Sequence, residues 1–226
     1  MLISLCIPCH NRTYDLKRTM PYLLDAASYS PPVEIVVVDY NSPDDLSQYM
    51  KSVMVMPKGD GVSIVYRKYT GRDYYHMAHA RNLSVLASSG EYFVILSADI
   101  WIEPDLIAAI RERLMYFSYD WLECYGGVIV CRRQEFIDAG GYDERFELYG
   151  PEDRDLNARL RRRGGLCGKV PGSMVHIIQT PKAEKVGNYR INSLREASAL
   201  MHPIFDENER SGVLVANAGE RWGQWQ

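Results

Sequence analysis

Polar side chains gather at three points where an apolar run of the sequence ends. Pro8–Arg12 follows the first run, Asp39–Asn41 follows the second, and Ser97–Asp99 follows a later one. If these runs are parallel strands, their carboxyl ends meet at one edge of a sheet, where such sheets bind ligands. A turn alone explains any single cluster, and for Asn41-Ser42-Pro43 we favour that explanation. Together, the three clusters indicate a ligand-binding crevice.

A fourth group of chemically active side chains stands at the start of a predicted helix, Pro151–Arg163. Proline at the first position, acids in the first turn and Gly164-Gly165 beyond the last turn are typical helix boundaries. Glu152 and Asp153 form a carboxylate pair in the first turn, where the helix dipole favours the ionised form. Such a carboxylate can accept the proton of a hydroxyl as a general base. The alternative is that these acids only complement the helix dipole.

The elements that must position these groups alternate between strand and helix. Apolar and β-branched runs predict strands at Leu2–Pro8, Val33–Asp39, Val62–Tyr66, Tyr92–Leu96, Gly126–Cys131 and Lys169–Val175. Helical spacing predicts helices at Tyr14–Tyr29, His76–Ser88, Pro104–Phe117, Gln134–Ala139 and Asn192–Met201, in addition to the acidic helix. This alternation predicts an α/β fold with a mostly parallel central sheet flanked by helices.

Length and charge limit the classes of function. The chain has 226 residues, a formal net charge of −3 and a pI of about 6.0. The length fits one decorated domain, and the acidic balance argues against holding nucleic acid by bulk attraction. The basic residues that do cluster are interpreted as complementing the dipole of the acidic helix, rather than as a nucleic-acid patch. They are Arg159, Arg161, Arg162 and Arg163, together with the earlier pair Arg132 and Arg133.

The sequence shows no recognisable targeting signal, and its cysteine pattern predicts a reducing environment. No apolar run approaches the ~20 residues that cross a bilayer. The first eight residues lack a basic leader, so we expect a cytoplasmic protein. The five cysteines are an odd set without metal-ligand spacing, and we expect reduced, mostly buried thiols.

Four segments carry a likeness to a known family: ISLCIPCHNR, EIVVVDYNSPDD, MAHARNLSVLASSGEYFVILSADIWIEPD and FELYGPEDRDLNARLRRRGG. In this order and spacing they resemble the nucleotide-sugar glycosyltransferases of the GT-A fold, most closely the large inverting family 2. The segment YGGVIVCRRQEFIDAGGYDERFELYGPEDRDLNARL is also similar to the carboxyl-terminal region of Golgi-type galactosyltransferases. The resemblance covers residues 2–178. It implies a single GT-A domain at 1–182, with a nucleotide-binding half at 1–100 and an acceptor half at 101–182. A C-terminal extension at 183–226 would add a helix and an irregular tail.

The same resemblance implies a metal-assisted donor site. Asp99 matches the last carboxylate of the family's Asp-x-Asp motif and His176 matches a downstream histidine ligand. These two would hold Mn²⁺ or Mg²⁺, which neutralises a leaving diphosphate. The motif here reads Ser97-Ala98-Asp99 and lacks its first carboxylate, and Tyr40 replaces the second acid of a family Asp-Asp pair. The residues implied to contact the donor nucleotide are Pro8, Cys9, His10, Arg12, Asp39, Arg81, Asn82, Ser97 and Ala98.

The resemblance also assigns the catalytic side. Asp153 matches the general base, Glu152 would hold sugar hydroxyls, and Tyr149 with Gly150 would supply a sugar-stacking ring and a hinge. These assignments predict inverting transfer of a sugar, from a UDP-sugar first of all, to a hydroxyl acceptor that is most simply a glycan, with nucleic acid or protein as alternatives.

Two other functions stay open. One is a sugar nucleotidyltransferase, although a glycine-rich, lysine-bearing phosphate loop is missing after the first strand. The other is a non-catalytic module that binds nucleotides or glycans. The incomplete metal motif and Tyr40 are the features that favour it.

Overall fold

Four apolar runs in the first hundred residues form the parallel part of the central sheet, as predicted. They are β1 (Ile3–Cys9), β2 (Val33–Tyr40), β3 (Val62–Tyr69) and β4 (Tyr92–Ile95), in the spatial order β3-β2-β1-β4. Every residue of β1, β2 and β4 is buried, which explains why their sequences are mostly apolar rather than alternating; the buried polar exceptions are Ser4, Glu34 and Asp39. The computed structural model describes residues 1–179, 186–189 and 191–225.

The second half of the chain extends this sheet and adds a small ribbon. Its strands are β5 (Ile100–Ile102), β6 (Trp121–Glu123), β7 (Ile129–Arg132), β8 (Cys167–Lys169) and β9 (Val175–Ile177). β7 pairs antiparallel with both β4 and β6, and β6 pairs parallel with β8, so the order continues β4-β7-β6-β8. β5 and β9 form a separate antiparallel pair.

Helices cover both faces of the sheet, which confirms the predicted α/β class. They are α1 (Thr13–Tyr29), α2 (Leu46–Val55), α3 (Met77–Leu86), α4 (Leu106–Phe117), α5 (Arg133–Asp138), α6 (Glu152–Arg162) and α7 (Leu194–Ser211). Residues such as Leu16 of α1 and Ile107 of α4 share one hydrophobic core, whereas Leu83 of α3 and Phe136 of α5 belong to the other. Within the described ranges, no helix combines the length and apolar character needed to cross a membrane.

Two predicted strands of the second half differ from the structure. The strand predicted at Lys169–Val175 is wrong: β8 ends at Lys169, and a 3-10 turn at Gly172–Met174 separates it from β9. The strand predicted from Gly126 begins only at Ile129, because Gly126 and Gly127 adopt positive φ angles of 74° and 76°. The second difference places a turn, rather than a strand, beside Asp153 of the acidic helix.

The C-terminal part packs against the domain. The predicted helix at Asn192–Met201 is longer than expected, since α7 continues through Pro203 to Ser211. Beyond it, the Ala216 amide donates to the Ala139 carbonyl (3.0 Å), and the Trp222 ring meets Phe136. The predicted boundary between residues 182 and 183 lies outside the described residues, and the division into domain and extension stays a prediction.

The thiols are buried or half-buried and unpaired. Burial raises the pKa of Cys6, Cys9 and Cys131, and it raises the pKa of Cys124 to about 12. These thiols therefore stay protonated at neutral pH and serve as small apolar side chains.

Candidate functional site

A cavity of about 390 Å³ opens at the carboxyl ends of β1 and β4, next to the first turn of α6. This is the edge of the sheet at which the polar clusters were expected to converge. Most of the residues predicted for the site line it. They are Pro8, His10, Arg12, Arg81, Ser97, Ala98, Asp99, Tyr149, Gly150, Glu152 and Asp153.

Three predicted donor residues lie behind the cavity wall. Cys9 points into the hydrophobic core, because neighbouring residues of a strand face opposite sides. Asn82 is buried and donates to the Tyr142 carbonyl at 2.9 Å. Asp39 is also buried, and its two carboxylate oxygens accept from the Ser42 amide and the Tyr66 hydroxyl, both at 2.7 Å. These side chains support the site from within the fold.

The structure does not bring His176 together with Asp99. The His176 ring stacks on Trp101 with centroids 3.9 Å apart, and its Nε2 lies 2.7 Å from Glu103 Oε1. Its neighbour Ile177 lines the cavity instead. Because side chains alternate along β9, His176 faces the outer side of the ribbon.

Asp99 lies on the cavity side of the sheet, just after β4, and its role as a metal ligand stays a prediction. It is largely buried and lines the cavity beside Ser97, so a carboxylate and a hydroxyl oxygen face the same space. Hard oxygen ligands of this kind suit Mg²⁺ or Mn²⁺. Across the ranges that the structure describes, no cluster of three or more His, Cys, Asp or Glu side chains has metal-ligand geometry. Among the described residues, Asp99 and Ser97 offer oxygen atoms to an ion in the cavity, whereas the contacts of His176 are with Trp101 and Glu103.

The carboxylate pair at the start of α6 is held by one arginine. Arg81, buried on α3, places Nη1 3.0 Å from Glu152 Oε1 and 2.5 Å from Asp153 Oδ1. The Tyr142 hydroxyl donates to the same Asp153 oxygen at 3.1 Å. The Gly150 amide donates to Glu152 Oε2 at 3.1 Å. The pair is therefore fixed in orientation before any ligand binds.

The two carboxylates differ in their exposure to water. The Glu152 side chain is 3% exposed, whereas that of Asp153 is 25% exposed and faces the cavity. Burial, together with the negative charge of Asp153, raises the pKa of Glu152 to about 8. Glu152 therefore carries a proton at neutral pH, and Asp153 is the more exposed carboxyl group of the pair.

Several lining residues were missed by sequence reasoning. Tyr75 stacks near His10 with centroids 5.9 Å apart, and His10 Nδ1 lies 2.6 Å from the Tyr40 carbonyl oxygen. Asn188 and Tyr189 close the same wall from the C-terminal part. No local sequence pattern marks these two, since the contact joins segments far apart in the chain.

A glycine turn borders the carboxylate pair. At Gly127, a Cβ atom would lie 2.9 Å from Asp153 Oδ2, closer than real contacts allow. Its positive φ adds strain to any substitution. The turn thus keeps the second oxygen of Asp153 clear of side chains on that side.

Comparisons with known proteins agree with this architecture. The family model described as Glycosyl transferase family 2 matches residues 4–166. No curated protein matched the chain. Among solved structures, S. aureus TarS 1–349 in complex with UDP-GlcNAc superposes with a TM-score of 0.69 at 14% identity, covering 84% of this chain and 62% of TarS.

Two further structures share the fold. The mannosyltransferase PcManGT from Pyrobaculum calidifontis, in complex with GDP-Man and Mn²⁺, gives a TM-score of 0.67 at 17% identity, covering 82% of this chain and 59% of its own. The structure of glucosyl-3-phosphoglycerate synthase from Mycobacterium tuberculosis contains Mn²⁺, UDP and glucosyl-3-phosphoglycerate. It gives a TM-score of 0.61 at 16% identity, covering 96% of this chain and 82% of the synthase. The chain thus spans less than two thirds of the TarS fragment and of PcManGT.

These matches define the fold and the family, and they confirm the resemblance to GT-A glycosyltransferases. The additional likeness of the second half to galactosyltransferases stays a prediction. A family model that spans most of the sequence, on a GT-A fold shared with solved glycosyltransferases, leads to one conclusion: the chain belongs to glycosyl transferase family 2.

Proposed function

We propose that the protein transfers a sugar from a nucleotide-sugar donor to a hydroxyl acceptor with inversion at the anomeric carbon. The observation that carries the proposal is the cavity-facing carboxylate of Asp153, fixed by Arg81 and Tyr142 at the edge of a nucleotide-binding type of sheet. A fixed carboxylate opposite a leaving diphosphate is what an inverting displacement requires.

In the proposed reaction, Asp153 accepts the proton of the acceptor hydroxyl. The hydroxyl oxygen forms a bond to the anomeric carbon on one face of the sugar. The bond from that carbon to the diphosphate oxygen breaks on the other face, and the nucleoside diphosphate leaves with the electron pair. NMR of the product's anomeric configuration tests inversion, since a carboxylate that attacked as a nucleophile would give retention instead.

The cavity wall formed by Pro8, His10 and Tyr75 suits the nucleoside, because it offers flat apolar and aromatic surfaces. UDP is our first choice of nucleotide. Asp39 does not reach the cavity, so its carboxylate would act on the base only through the loop that it braces at Ser42.

The diphosphate would lie near Asp99 and Arg12, which both line the cavity. We propose that Asp99 holds Mn²⁺ or Mg²⁺, with the remaining ligands supplied by phosphate oxygens and solvent. When bound, such an ion neutralises the charge that develops on the leaving diphosphate. Arg12 is already paired with Asp15 at 2.9 Å, so it offers only part of its charge to the donor.

Replacing Asp99 with Ala should lower donor affinity in Mn²⁺ about tenfold, which corresponds to about 1.4 kcal/mol. His176→Ala should leave donor affinity and its response to Mn²⁺ unchanged, because His176 faces Trp101 and Glu103. Calorimetric titration of UDP-sugar with and without Mn²⁺ measures both. Equal losses in the two variants would restore His176 as a ligand.

The acceptor side is proposed from the rim of the cavity. The Tyr149 side chain is half-exposed next to Gly150, and both line the cavity close to Asp153. A tyrosine ring that presents an apolar face beside a catalytic carboxylate suits a sugar ring of a glycan acceptor. A glycan is therefore our first choice of acceptor, ahead of a protein or a nucleic acid, and the cytoplasm our proposed location.

One screen separates the proposal from its alternatives. The protein is incubated with UDP- and GDP-sugars and Mn²⁺, and both thermal stabilisation and release of nucleoside diphosphate are measured. A bound donor at 100 times its Kd should stabilise the fold by about 2.7 kcal/mol. Nucleoside diphosphate release supports the proposal. Pyrophosphate release from a nucleoside triphosphate would instead indicate a nucleotidyltransferase, and stabilisation without turnover a binding module.

A further inference from the structure

One feature of the site serves neither the nucleotide nor the acceptor directly: the side chain of Arg81. The sequence resemblance placed Arg81 on the nucleotide side of the cavity. In the structure its guanidinium is taken up by Glu152 and Asp153, and it lies over the Tyr142 ring at 5.1 Å. A buried guanidinium is stable only when it is paired, so Arg81 is committed to the acids.

The charges of this cluster do not balance if both acids are ionised. Arg81 supplies one positive charge to two adjacent carboxylates inside the protein. Two negative charges that contact the same guanidinium nitrogen repel each other, and this repulsion favours a proton on one of the two acids. Glu152 is the less exposed of the two, so the proton lies on Glu152 and the negative charge on Asp153.

The hydrogen bonds also fix which oxygen of Asp153 is used. Among the described residues, both donors to Asp153, from Arg81 and from Tyr142, go to Oδ1. Oδ2 lies against Gly127, which has no side chain to cover it. Oδ2 is thus the oxygen left to accept a proton from a substrate.

We propose that Arg81 is a positioning residue that holds Asp153 as the ionised base, with Oδ2 turned to the acceptor, and confines the single proton of the acid pair to Glu152. This inference rests on the proposed function, since it assigns a role within that reaction. The proton of the acceptor hydroxyl moves to Asp153 Oδ2 as the new bond to the anomeric carbon forms and the diphosphate leaves. Glu152 keeps its proton throughout.

The first test compares Arg81→Gln with Arg81→Lys, and uses Arg132→Gln as a matched control on an exposed arginine remote from the cavity. We expect Arg81→Gln to reduce kcat about a hundredfold, a typical general-base contribution. The acid limb of its pH profile should move to higher pH, because the ionised form of Asp153 loses its counter-charge. Arg81→Lys keeps the positive charge, so it should recover part of kcat, and the acid limb of its pH profile should lie at the wild-type pH. UDP affinity should stay within about threefold in both, and Arg132→Gln should match the wild type.

The opposite pattern would overturn the proposal. Weakened UDP binding in Arg81→Gln and Arg81→Lys, with an unmoved acid limb, would return Arg81 to the nucleotide side. A purely structural role would lower the melting temperature and the amount of active protein in Arg81→Gln without moving the limb, which would also overturn the proposal.

A second test does not depend on activity, so it separates failure of this inference from failure of the proposed function. Within the part of the chain that the structure describes, the titratable groups near Glu152 are Arg81, Asp153 and the phenols of Tyr75, Tyr142 and Tyr189. Burial raises the pKa of each phenol, so these stay neutral in the range tested. Glu152 has a pKa of about 8 when folded and an ordinary pKa when unfolded, so the folded state binds the extra proton between these values.

The stability that Glu152 contributes is therefore complete below its unfolded pKa and is lost as the pH rises through about 8. We expect the melting temperature of the wild type to fall between pH 5 and pH 9 more than that of the near-isosteric Glu152→Gln. The difference should extend to higher pH in the Arg81→Gln background, because Arg81 lowers the pKa of Glu152. Parallel curves of melting temperature against pH for the wild type and Glu152→Gln would refute the protonated state of Glu152 even if the enzyme transfers sugar. The expected curves in a protein that turns over no nucleotide sugar would uphold the acid pair and refute the proposed function alone.

Discussion

Replacing Asp153 with Asn should reduce sugar transfer at least about a hundredfold while leaving nucleotide-sugar binding nearly unchanged. The amide has the same shape as the carboxylate, so the contacts with Tyr142 and the first turn of α6 can persist. It cannot take the proton of the acceptor hydroxyl, and this is the step that the reaction needs. The loss should appear in kcat far more than in the KM for the donor.

The measurement is the initial rate of nucleoside diphosphate release with acceptor present, together with UDP titration of the same preparation. Asp206→Asn is a matched control, because Asp206 is an exposed acid of α7 away from the cavity. Full turnover by Asp153→Asn would exclude Asp153 as the base. Loss of UDP binding along with activity would instead assign Asp153 to the donor.

The parallel half of the fold was predictable because its information is local. The strands β1, β2 and β4 are buried on both faces, so their sequences are mostly apolar runs bounded by turns. The second half contains strands of only three or four residues, such as β6 and β8. A pattern of that length carries no periodicity, and tertiary pairing decides it. This explains why β5 and β6 had no counterpart among the predicted elements. α2, a helix of ten residues in the first half, was also not predicted.

The same distinction applies to the site. Pro8 lies near the end of β1, Ser97 and Asp99 follow β4, and their position on the cavity is a direct consequence of sheet topology. His176 was placed by resemblance alone, and a short turn at Gly172–Met174 sets the strand phase that turns it outward. A shift of one residue moves every side chain of a strand to the opposite face, so no pattern of residue types could predict which way the His176 side chain points.

Long-range contacts account for what sequence reasoning missed. Asn188 lines the cavity and is held there by two long-range bonds: its backbone carbonyl accepts from the Tyr75 amide at 2.9 Å, and its side-chain amide donates to the His10 carbonyl at 3.4 Å. Arg81 donates hydrogen bonds to Glu152 and Asp153, which lie about seventy residues further along the chain. Such partners become visible only once the helices are packed.

The largest effect on stability is expected from an arginine that sequence analysis assigned to the helix dipole. Arg159 is completely buried: Nε donates to Asp155 at 2.8 Å, while Nη1 and Nη2 donate to the carbonyls of Ala139 and Gly141 at 2.6 and 2.8 Å. Asp155 is also buried and accepts from Asn208 of α7 at 2.7 Å. One guanidinium thus joins α6, the turn after α5 and, through Asp155, the C-terminal helix.

Arg159→Met should destabilise the fold by about 3–5 kcal/mol, the usual cost of removing one partner from a buried ion pair. The substitution leaves the Asp155 carboxylate without its counter-charge and removes the Arg159 donors from the Ala139 and Gly141 carbonyls, of which Ala139 keeps the Ala216 amide. Arg161→Met is the matched control, because Arg161 lies on the same helix but is 54% exposed and pairs with Glu123 at the surface. Exposed pairs contribute about 0–1 kcal/mol.

Urea denaturation of the two variants, followed by circular dichroism, gives the comparison. If both arginines only complemented the helix dipole, the losses would be equal and below about 1 kcal/mol. A large loss confined to Arg159→Met would mean that α7 and the helix carrying Glu152 and Asp153 are stabilised through one buried network. In that case, the C-terminal segment is part of what holds the acid pair in place, and shortening the chain ahead of Asn208 should destabilise the site as well as the fold.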